Sequence, residues 1–265
     1  MIQHYDKTWE NCRDKTIASF VSTKENFTLS IRGLKYLTQF VKQDEIIHWS
    51  TNDEYIYETK EYLSKFKDSK ILVVCGGPSA KDLDWNTDDY DYIFSCNHFY
   101  EFEKLKDKKV DLFFLGNEVD IHSKQFLNYC AKFNPIIGIE DIPQKEKYLH
   151  LKEKFKDNVL LCASRYQAKF TGVGGKLIIF ALSLEPKQID FVGLDGITKK
   201  QSFNSKMPHS FQNSKLFRAN KIQTYEEVLS HYKLLEKYID ITFPNVIVNN
   251  LGKKHKDNCL NEINL

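Results

Sequence analysis

The chain alternates short apolar runs with longer stretches in which apolar residues recur every three or four positions. Each run has the length and the β-branched content of a buried strand. These runs are Ile71–Cys75, Tyr92–Cys96, Val110–Leu115, Pro135–Ile139, Val159–Cys162 and Ile189–Val192. Strands separated by helices of about ten residues are typical of a parallel sheet. The pattern therefore predicts an α/β, Rossmann-like fold, with a mostly parallel sheet and helices on both faces.

The stretches between the runs predict the helices of this domain. They are Ser123–Phe133, Gln144–Phe155, a helix that opens at Thr171 and Gly172 with Leu177–Leu184 as its apolar body, and Tyr225–Ile239. The first part of the chain differs, since it predicts helices at Trp9–Val21 and Leu29–Gln43 before a charged linker. We therefore expect a helical extension over residues 1–68 and an α/β domain over residues 69–265, with a basic loop at 196–224.

Glycine and asparagine residues follow three of the predicted strands. Gly76 and Gly77 form a turn after the first strand, and Ser79 can cap the helix that follows. Asn97 and Asn117 come at the ends of the next two strands. Ligands of open α/β sheets bind outside these strand ends, so a phosphate or nucleotide site is expected there. Each asparagine could instead only cap a turn.

A second glycine-rich turn precedes the most apolar helix. Thr171 and Gly172 open this helix within TGVGGK, and Lys176 could act as counter-charge to a phosphate. The spacing is not that of the P-loop. An equally good interpretation is that the glycines let the helix pack tightly on the sheet.

The loop at 196–224 carries cations and a histidine. Its cations are Lys199, Lys200, Lys206, Lys215, Arg218 and Lys221, with no acidic residue after Asp195 until Glu226. His209 lies among them, and an imidazole can take a proton near neutral pH. His231, in a predicted amphipathic helix, and His98, beside Asn97, are the alternatives.

These motifs resemble those of the bacterial family-42 sialyltransferases, which transfer sialic acid from CMP-sialic acid. The shared features are a GPS turn after the first strand, a strand ending in CN-x-FY, a strand ending in asparagine, a Ser/Thr-Gly helix start and a strand ending in GxD. The resemblance spans roughly residues 70–250. It implies a GT-A-like variant of the fold, no cofactor and no metal.

The resemblance also implies roles for particular residues. His209 would be the catalytic base, within an HS pair as in the family. The donor nucleotide would be bound by Gly76, Gly77, Ser79, Asn97, Asn117, Thr171, Gly172, Lys176 and Asp195. The implied activity is transfer of a sugar from CMP-sialic acid or a related CMP-sugar to a hydroxyl acceptor.

The chain departs from the family at several positions. Gly76 replaces an asparagine that contacts the donor, and Ile197 and Phe203 stand where two tyrosines hold the leaving phosphate. Lys199 and Lys200 would then have to stabilise that phosphate. Lys169 lies near the place of a family arginine, one residue short in spacing.

Three other functions fit the same motifs. The first is a UDP-sugar-dependent transferase acting on nucleic acid or another anionic polymer. The second is a pterin pyrophosphokinase-like enzyme that uses ATP and magnesium. The third is a nucleotide sensor without turnover.

Composition and charge limit which of these hypotheses are possible. The 265 residues are 42% hydrophobic and 28% charged, with a net charge of +2, which is typical of a globular protein and does not decide about nucleic acid. Six cysteines without a CxxC pair indicate reduced thiols and give little support to zinc. We expect a cytoplasmic protein. A peripheral position at the inner membrane face and assembly into a homo-oligomer are both compatible with the sequence.

Overall fold

An eight-stranded sheet forms the centre of the protein. Our computed structural model describes residues 46–48, 61–116, 118–140, 145–163, 171–198, 206–207, 209–211, 215–216 and 225–261. The strands of the sheet are β1 (Ile46–His48), β2 (Lys70–Val74), β3 (Tyr92–Cys96), β4 (Leu112–Leu115), β5 (Ile136–Glu140), β6 (Val159–Ala163), β7 (Gln188–Val192) and β10 (Ile247–Asn250). Every neighbouring pair is parallel, in the order β1-β6-β5-β4-β3-β2-β7-β10.

Five α-helices and a second, small sheet complete the described part of the chain. The helices are α1 (Pro78–Asp82), α2 (Lys124–Phe133), α3 (Lys145–Phe155), α4 (Gly172–Ser183) and α5 (Tyr225–Thr242). The small sheet pairs β8 (Lys206–Met207) with β9 (Lys215–Leu216) in antiparallel register. It lies within the basic loop, on both sides of His209.

Helices cover both faces of the large sheet. Phe113 and Phe114 are consecutive in β4, so their side chains point to opposite faces. Phe113 contacts Phe126 of α2 with ring centroids 6.1 Å apart, whereas Phe114 contacts Phe180 of α4 with centroids 5.2 Å apart. The predicted α/β, Rossmann-like fold with helices on both faces is therefore confirmed, and its sheet is parallel throughout.

The strand order reverses between β2 and β7. From β2 the chain proceeds through β3, β4, β5 and β6 to one side, and α4 then returns it to β7 on the other side. Because the crossovers are right-handed, connections that run in opposite directions along the sheet place their helices on opposite faces. This arrangement leaves a crevice at the switch point. The carboxyl ends of β2 and β7 thus mark where a ligand site is expected.

Helix α4 is deeply buried. From Leu177 to Ser183 every residue is buried, which accounts for a sequence that is apolar on all sides. The residues Ile71 to Val74 of β2 are buried as well, since strands covered on both faces lack alternation. The hydrophobic core therefore forms where α4 crosses the centre of the sheet.

The predicted elements agree with the structure to within two residues at most ends, with larger differences elsewhere. Strand β4 begins at Leu112 rather than Val110, and α5 extends to Thr242 rather than Ile239. Four short strands had no predicted counterpart, namely β1, β8, β9 and β10. Both helices predicted in the extension lie outside the described residues, so the division at residue 68 stays a prediction.

No helix in the described part of the chain is both long enough and apolar enough to cross a membrane.

Candidate functional site

The glycine turn after β2 lies at the switch point of the sheet. The amide of Gly77 donates to the carbonyl oxygen of Gly193, which follows β7, at 2.7 Å. Cys75 likewise donates its amide to Val192 at 2.8 Å. These bonds extend the pairing of β2 and β7 by two residues and fix the turn at the carboxyl edge.

Ser79 and Asp195 join this turn to β7 through a buried network. The Asp195 carboxylate accepts the Ser79 amide at 2.9 Å and an Asn258 side-chain N–H at 3.3 Å. The Ser79 hydroxyl accepts the Gly193 amide at 2.9 Å. Both side chains are almost completely buried, at 0% and 2% exposure. These contacts give both residues a structural role, and contact of either with a donor stays a prediction.

Burial sets the ionisation of Asp195. It raises the pKa of the carboxyl above its ordinary value, while hydrogen bonds from Ser79 and Asn258 and the nearby His255 lower it in part. Gly77 lies directly against this carboxylate, since a Cβ there would overlap one carboxylate oxygen. Asp195 is therefore packed beneath the glycine turn.

His209 lies against Gly76. A Cβ on Gly76 would overlap the Cε1 and Nε2 atoms of the His209 imidazole. The two residues are far apart in sequence, and the sequence predicted each as a site residue on separate grounds. The structure brings them together at the carboxyl end of β2.

The residues after His209 attach this segment to the glycine turn. Ser210 donates its amide to Gly76 O at 2.7 Å and its hydroxyl to Gly77 O at 2.6 Å. Phe211 is buried and packs against Phe102, with ring centroids 5.5 Å apart. The two residues that follow His209 thus define its position.

The amide of Phe211 also contacts the His209 ring, donating to Nδ1 at 3.3 Å. Because Nδ1 accepts this bond, the neutral imidazole carries its proton on Nε2. Nε2 is also the nitrogen closest to Gly76.

Asn97 supports the neighbouring loop of the carboxyl edge. Its backbone is in the left-handed region, with φ of 54°, which asparagine tolerates better than most residues. Its side-chain oxygen accepts the Gly116 amide at 2.7 Å, and its side-chain nitrogen donates to Glu118 at 3.0 Å. Lys147 of α3 donates to the carbonyl oxygens of Gly116 and Val119 at 2.9 and 3.0 Å. The Gly116–Val119 loop is thus held from two sides.

The first turn of α4 packs closely on the end of β2. A Cβ on Gly174 would lie 2.7 Å from Cys75 Sγ and 3.0 Å from Leu194 Cδ1. Thr171 is buried, whereas Gly172 is exposed and adopts a positive φ of 60°. Lys176 is half-buried in the second turn. The glycines do allow the tight packing considered from the sequence, and the helix N-terminus lies at the same edge as the glycine turn.

Two buried thiols lie beneath this edge. Cys75 directly follows β2, and Cys96 is the last residue of the adjacent strand β3. Their mutual hydrogen bond and burial raise the pKa of the Cys75 thiol well above its ordinary value. The Cys75 thiol is therefore a neutral packing group at physiological pH.

Several predicted residues are not placed by the structure. Asn117, Lys169, Lys199, Lys200 and Phe203 lie outside the described residues. Ile197, at the place of the first family tyrosine, is buried.

The two alternative histidines are described. His98 is buried at the start of the short 3₁₀ helix Phe99–Glu101, and His231 lies half-buried in α5. Among the residues for which the structure gives side chains, no group of three or more His, Cys, Asp or Glu could hold a metal ion.

Sequence reasoning missed the residues that hold the site together. Ser210 and Phe211 adjoin the predicted base, so the HSF tripeptide was a usable signal for them. Glu118, Lys147 and Asn258 carried no such signal, because each contacts the site through tertiary structure alone.

The comparisons with known proteins returned solved structures only. No protein-family model and no curated protein matches the chain. The monofunctional α-2,3-sialyltransferase Cst-I from Campylobacter jejuni is similar, with 18% sequence identity, a TM-score of 0.42, and coverage of 72% of this chain and 81% of that chain.

Two structures of the sialyltransferase CstII from Campylobacter jejuni are also similar. The complex with the substrate analogue CMP-3FNeuAc has 15% identity, a TM-score of 0.42, and coverage of 72% of this chain and 87% of that chain. The complex with cytidine-5′-monophosphate has 14% identity, a TM-score of 0.41, and coverage of 74% and 86%. All three are sialyltransferases, the class of enzyme that the sequence motifs resemble.

Proposed function

We propose that the protein is a glycosyltransferase that moves a sugar from a nucleotide-sugar donor, CMP-sialic acid or a related CMP-sugar, to a hydroxyl acceptor. The observation that carries the proposal is the contact between His209 and Gly76 at the switch point of the sheet. A titratable side chain at that point, beside a helix N-terminus, has the placement that transfer chemistry requires. The motif resemblance supports the choice of CMP over other nucleotides.

The donor phosphate would lie near the N-terminus of α4. Free backbone N–H groups at a helix N-terminus favour an anion, and Lys176 supplies positive charge in the second turn. Gly174 brings this turn against Cys75, which directly precedes Gly76. The phosphate and His209 would therefore lie on adjacent parts of the same edge, with Lys199 and Lys200 proposed as further leaving-phosphate ligands.

The reaction would be a direct displacement. The acceptor oxygen attacks the anomeric carbon, the bond between that carbon and the donor phosphate oxygen breaks, and CMP leaves. His209 takes the acceptor proton as general base. It would do so at Nδ1, the nitrogen with the lone pair, after releasing the weak 3.3 Å contact with the Phe211 amide. We propose that no metal or cofactor takes part.

Replacement of His209 tests this assignment. His209→Ala should lower kcat for transfer from a CMP-sugar by about 10²–10⁴-fold, the usual contribution of a general base, with little change in CMP affinity. The matched control is His231→Ala, which should keep its turnover. Undiminished transfer by His209→Ala would refute the role of His209, and activity lost only in His231→Ala would assign the base to α5.

The pH profile tests the direction of proton transfer. A base must be unprotonated, so kcat should rise with pH through the imidazole titration and then level off. If kcat instead fell as pH rose through that range, His209 would act as an acid.

A UDP-sugar donor and an anionic polymer acceptor form the second proposal for this site. Ile197 in place of a tyrosine favours it, because the leaving phosphate then lacks one phenol donor. Preference for UDP over CMP in a binding titration would select this alternative.

A further inference from the structure

The Ser210 side chain is not used by the mechanism proposed above, yet it makes a direct bond to the glycine turn. Its hydroxyl donates to Gly77 O at 2.6 Å, and its amide donates to Gly76 O at 2.7 Å. Two bonds from one residue to consecutive carbonyl oxygens fix both the position and the direction of the segment. Because His209 is adjacent to Ser210 in the chain, these bonds also restrict the position of its backbone.

The glycine turn contributes the complementary surface. Gly76 leaves a space that the His209 imidazole fills, since any Cβ would overlap the Cε1 and Nε2 atoms. On the other side of the segment, Phe211 is buried against Phe102. Three contacts thus position the imidazole. They are the space over Gly76, which we call the slot, the two bonds of Ser210 to the glycine turn, which we call the clamp, and the buried side chain of Phe211.

The described secondary structure on either side of this segment is short. The strands β8 and β9 flank the His209–Phe211 segment and consist of two residues each. A ladder this short gives little stability alone. Contacts with the glycine turn therefore add to the order that a base needs, since a displacement of about 1 Å can cost about 100-fold in rate.

We propose that Ser210 is a positioning residue that clamps His209 into the slot over Gly76, so that the base and the glycine turn behave as one rigid unit. This inference rests on the proposed function for its kinetic consequence only. It also explains why glycine stands where the resembled family has asparagine. A longer side chain at position 76 and the imidazole cannot occupy the same space.

The first arm of the test reads the imidazole directly. ¹⁵N-histidine labelling gives a pair of imidazole signals, from Nδ1 and Nε2, for each of the eight histidines of the full-length protein, and His209→Gln identifies the pair from His209. Ser210→Ala should shift and broaden that pair and change its titration, whereas Ser210→Thr, which keeps the hydroxyl, should restore it. An unchanged His209 signal in Ser210→Ala would overturn the proposal, whether or not the protein turns over any donor.

A matched control removes the same kind of bond elsewhere. Ser183 donates its hydroxyl to Phe180 O at 2.7 Å near the far end of α4. Ser183→Ala should lower stability to a similar degree and leave the His209 signal in place. Equal changes in both variants would show that the signal reports general loosening, which would also overturn the proposal.

The second arm measures kinetics with a CMP-sugar and acceptor. Ser210→Ala should lower kcat at least 10-fold, with the donor KM changed less than about threefold, because positioning acts mainly on the chemical step. Gly76→Ala should lower kcat as well, because its Cβ would displace the His209 imidazole. Ser210→Thr should recover most of the loss. Wild-type kcat in Ser210→Ala would refute the positioning role, while inactivity of the wild-type protein would refute the proposed function and leave the decision to the imidazole signals.

Discussion

At the scale of single residues, the polar groups at the carboxyl edge fall into two sets. Ser79 and Asp195 face inward and satisfy each other, whereas His209 lies over the glycine turn. Sequence alone placed all three in one binding site. The two sets differ in burial, and the bonds that the Asp195 carboxylate accepts from protein donors give it a structural role. Its contact with a donor nucleotide stays a prediction.

Replacement of Asp195 should measure this structural role. Each of its carboxylate oxygens accepts an N–H group, from Ser79 and from Asn258. The amide of an Asp195→Asn variant has only one acceptor, so one buried donor loses its partner at a cost of about 1–3 kcal/mol. Urea denaturation at neutral pH should show this fall in the free energy of unfolding, while exposed Asp240→Asn should change it little.

The same residue predicts a dependence on pH. Burial raises the pKa of Asp195 in the folded state, so over that range the folded state binds more protons than the unfolded one. Its contribution to stability is fully present below the ordinary aspartate pKa of about 4 and is lost as pH rises through the raised value. The difference in stability between wild type and Asp195→Asn should therefore change with pH in that range, and a constant difference would contradict the shift.

The elements of the fold differ in how well the sequence predicted them. Runs such as Ile71–Cys75 and Ile189–Val192 are buried on both faces, so their apolar character alone identifies them. β10 is an edge strand with partly exposed side chains and two asparagines, and its pattern carries no such signal. β8 and β9 are too short to show a period, and β1 became a strand by pairing with β6.

The site shows the same division between local and tertiary information. The glycine turn, the TGVGGK helix start and the HS pair are local motifs, and their meeting follows from the strand order of an α/β sheet. The support from Lys147 and Asn258 depends on α3 and on the segment after β10, which no local pattern connects to the site. Local motifs therefore predicted residues that the structure brings to one edge of the sheet, whereas the contacts that support these residues depend on tertiary structure.

Helix α4 gives a prediction about packing between elements. In Gly174→Ala the new Cβ would lie 2.7 Å from Cys75 Sγ. Overpacking of about 1–3 kcal/mol should outweigh the gain of about 1 kcal/mol in helix propensity. Thermal unfolding should show a lower Tm. In a Cys75→Ala background the same change should cost less, and purely additive effects would contradict direct contact.

The segment after β10 gives a second prediction at this scale. Asn258 is completely buried, donates to Asp195 and accepts the Leu260 amide at 2.9 Å. Asn258→Ala should lower the free energy of unfolding by about 1–3 kcal/mol because buried groups lose partners. Asn261→Ala is the control, since Asn261 is only half-buried and its side chain donates to the Lys254 and His255 carbonyl oxygens at 3.4 and 3.3 Å. Equal effects of the two variants would show that the segment is held by packing alone.

At the scale of the whole molecule, the sheet order brings together parts of the chain that are distant in sequence. The switch point joins β2 and β7, α4 crosses the sheet to bring its N-terminus to the same edge, and the loop between β8 and β9 adds His209. Each part alone has an ordinary structural explanation. Their meeting at the place where α/β folds bind ligands is what supports a nucleotide-dependent enzyme.

The most direct test of this account is calorimetric titration of the full-length protein with CMP, UDP and ATP, each with EDTA and with magnesium. We expect CMP to bind in EDTA and more tightly than UDP or ATP, with an affinity that His209→Ala largely retains. The same ligand should raise Tm, by an amount corresponding to about 2.7 kcal/mol at a hundredfold excess over Kd. Tighter binding of UDP, binding of ATP only with magnesium, or no binding of any nucleotide would contradict the proposed CMP-sugar transferase.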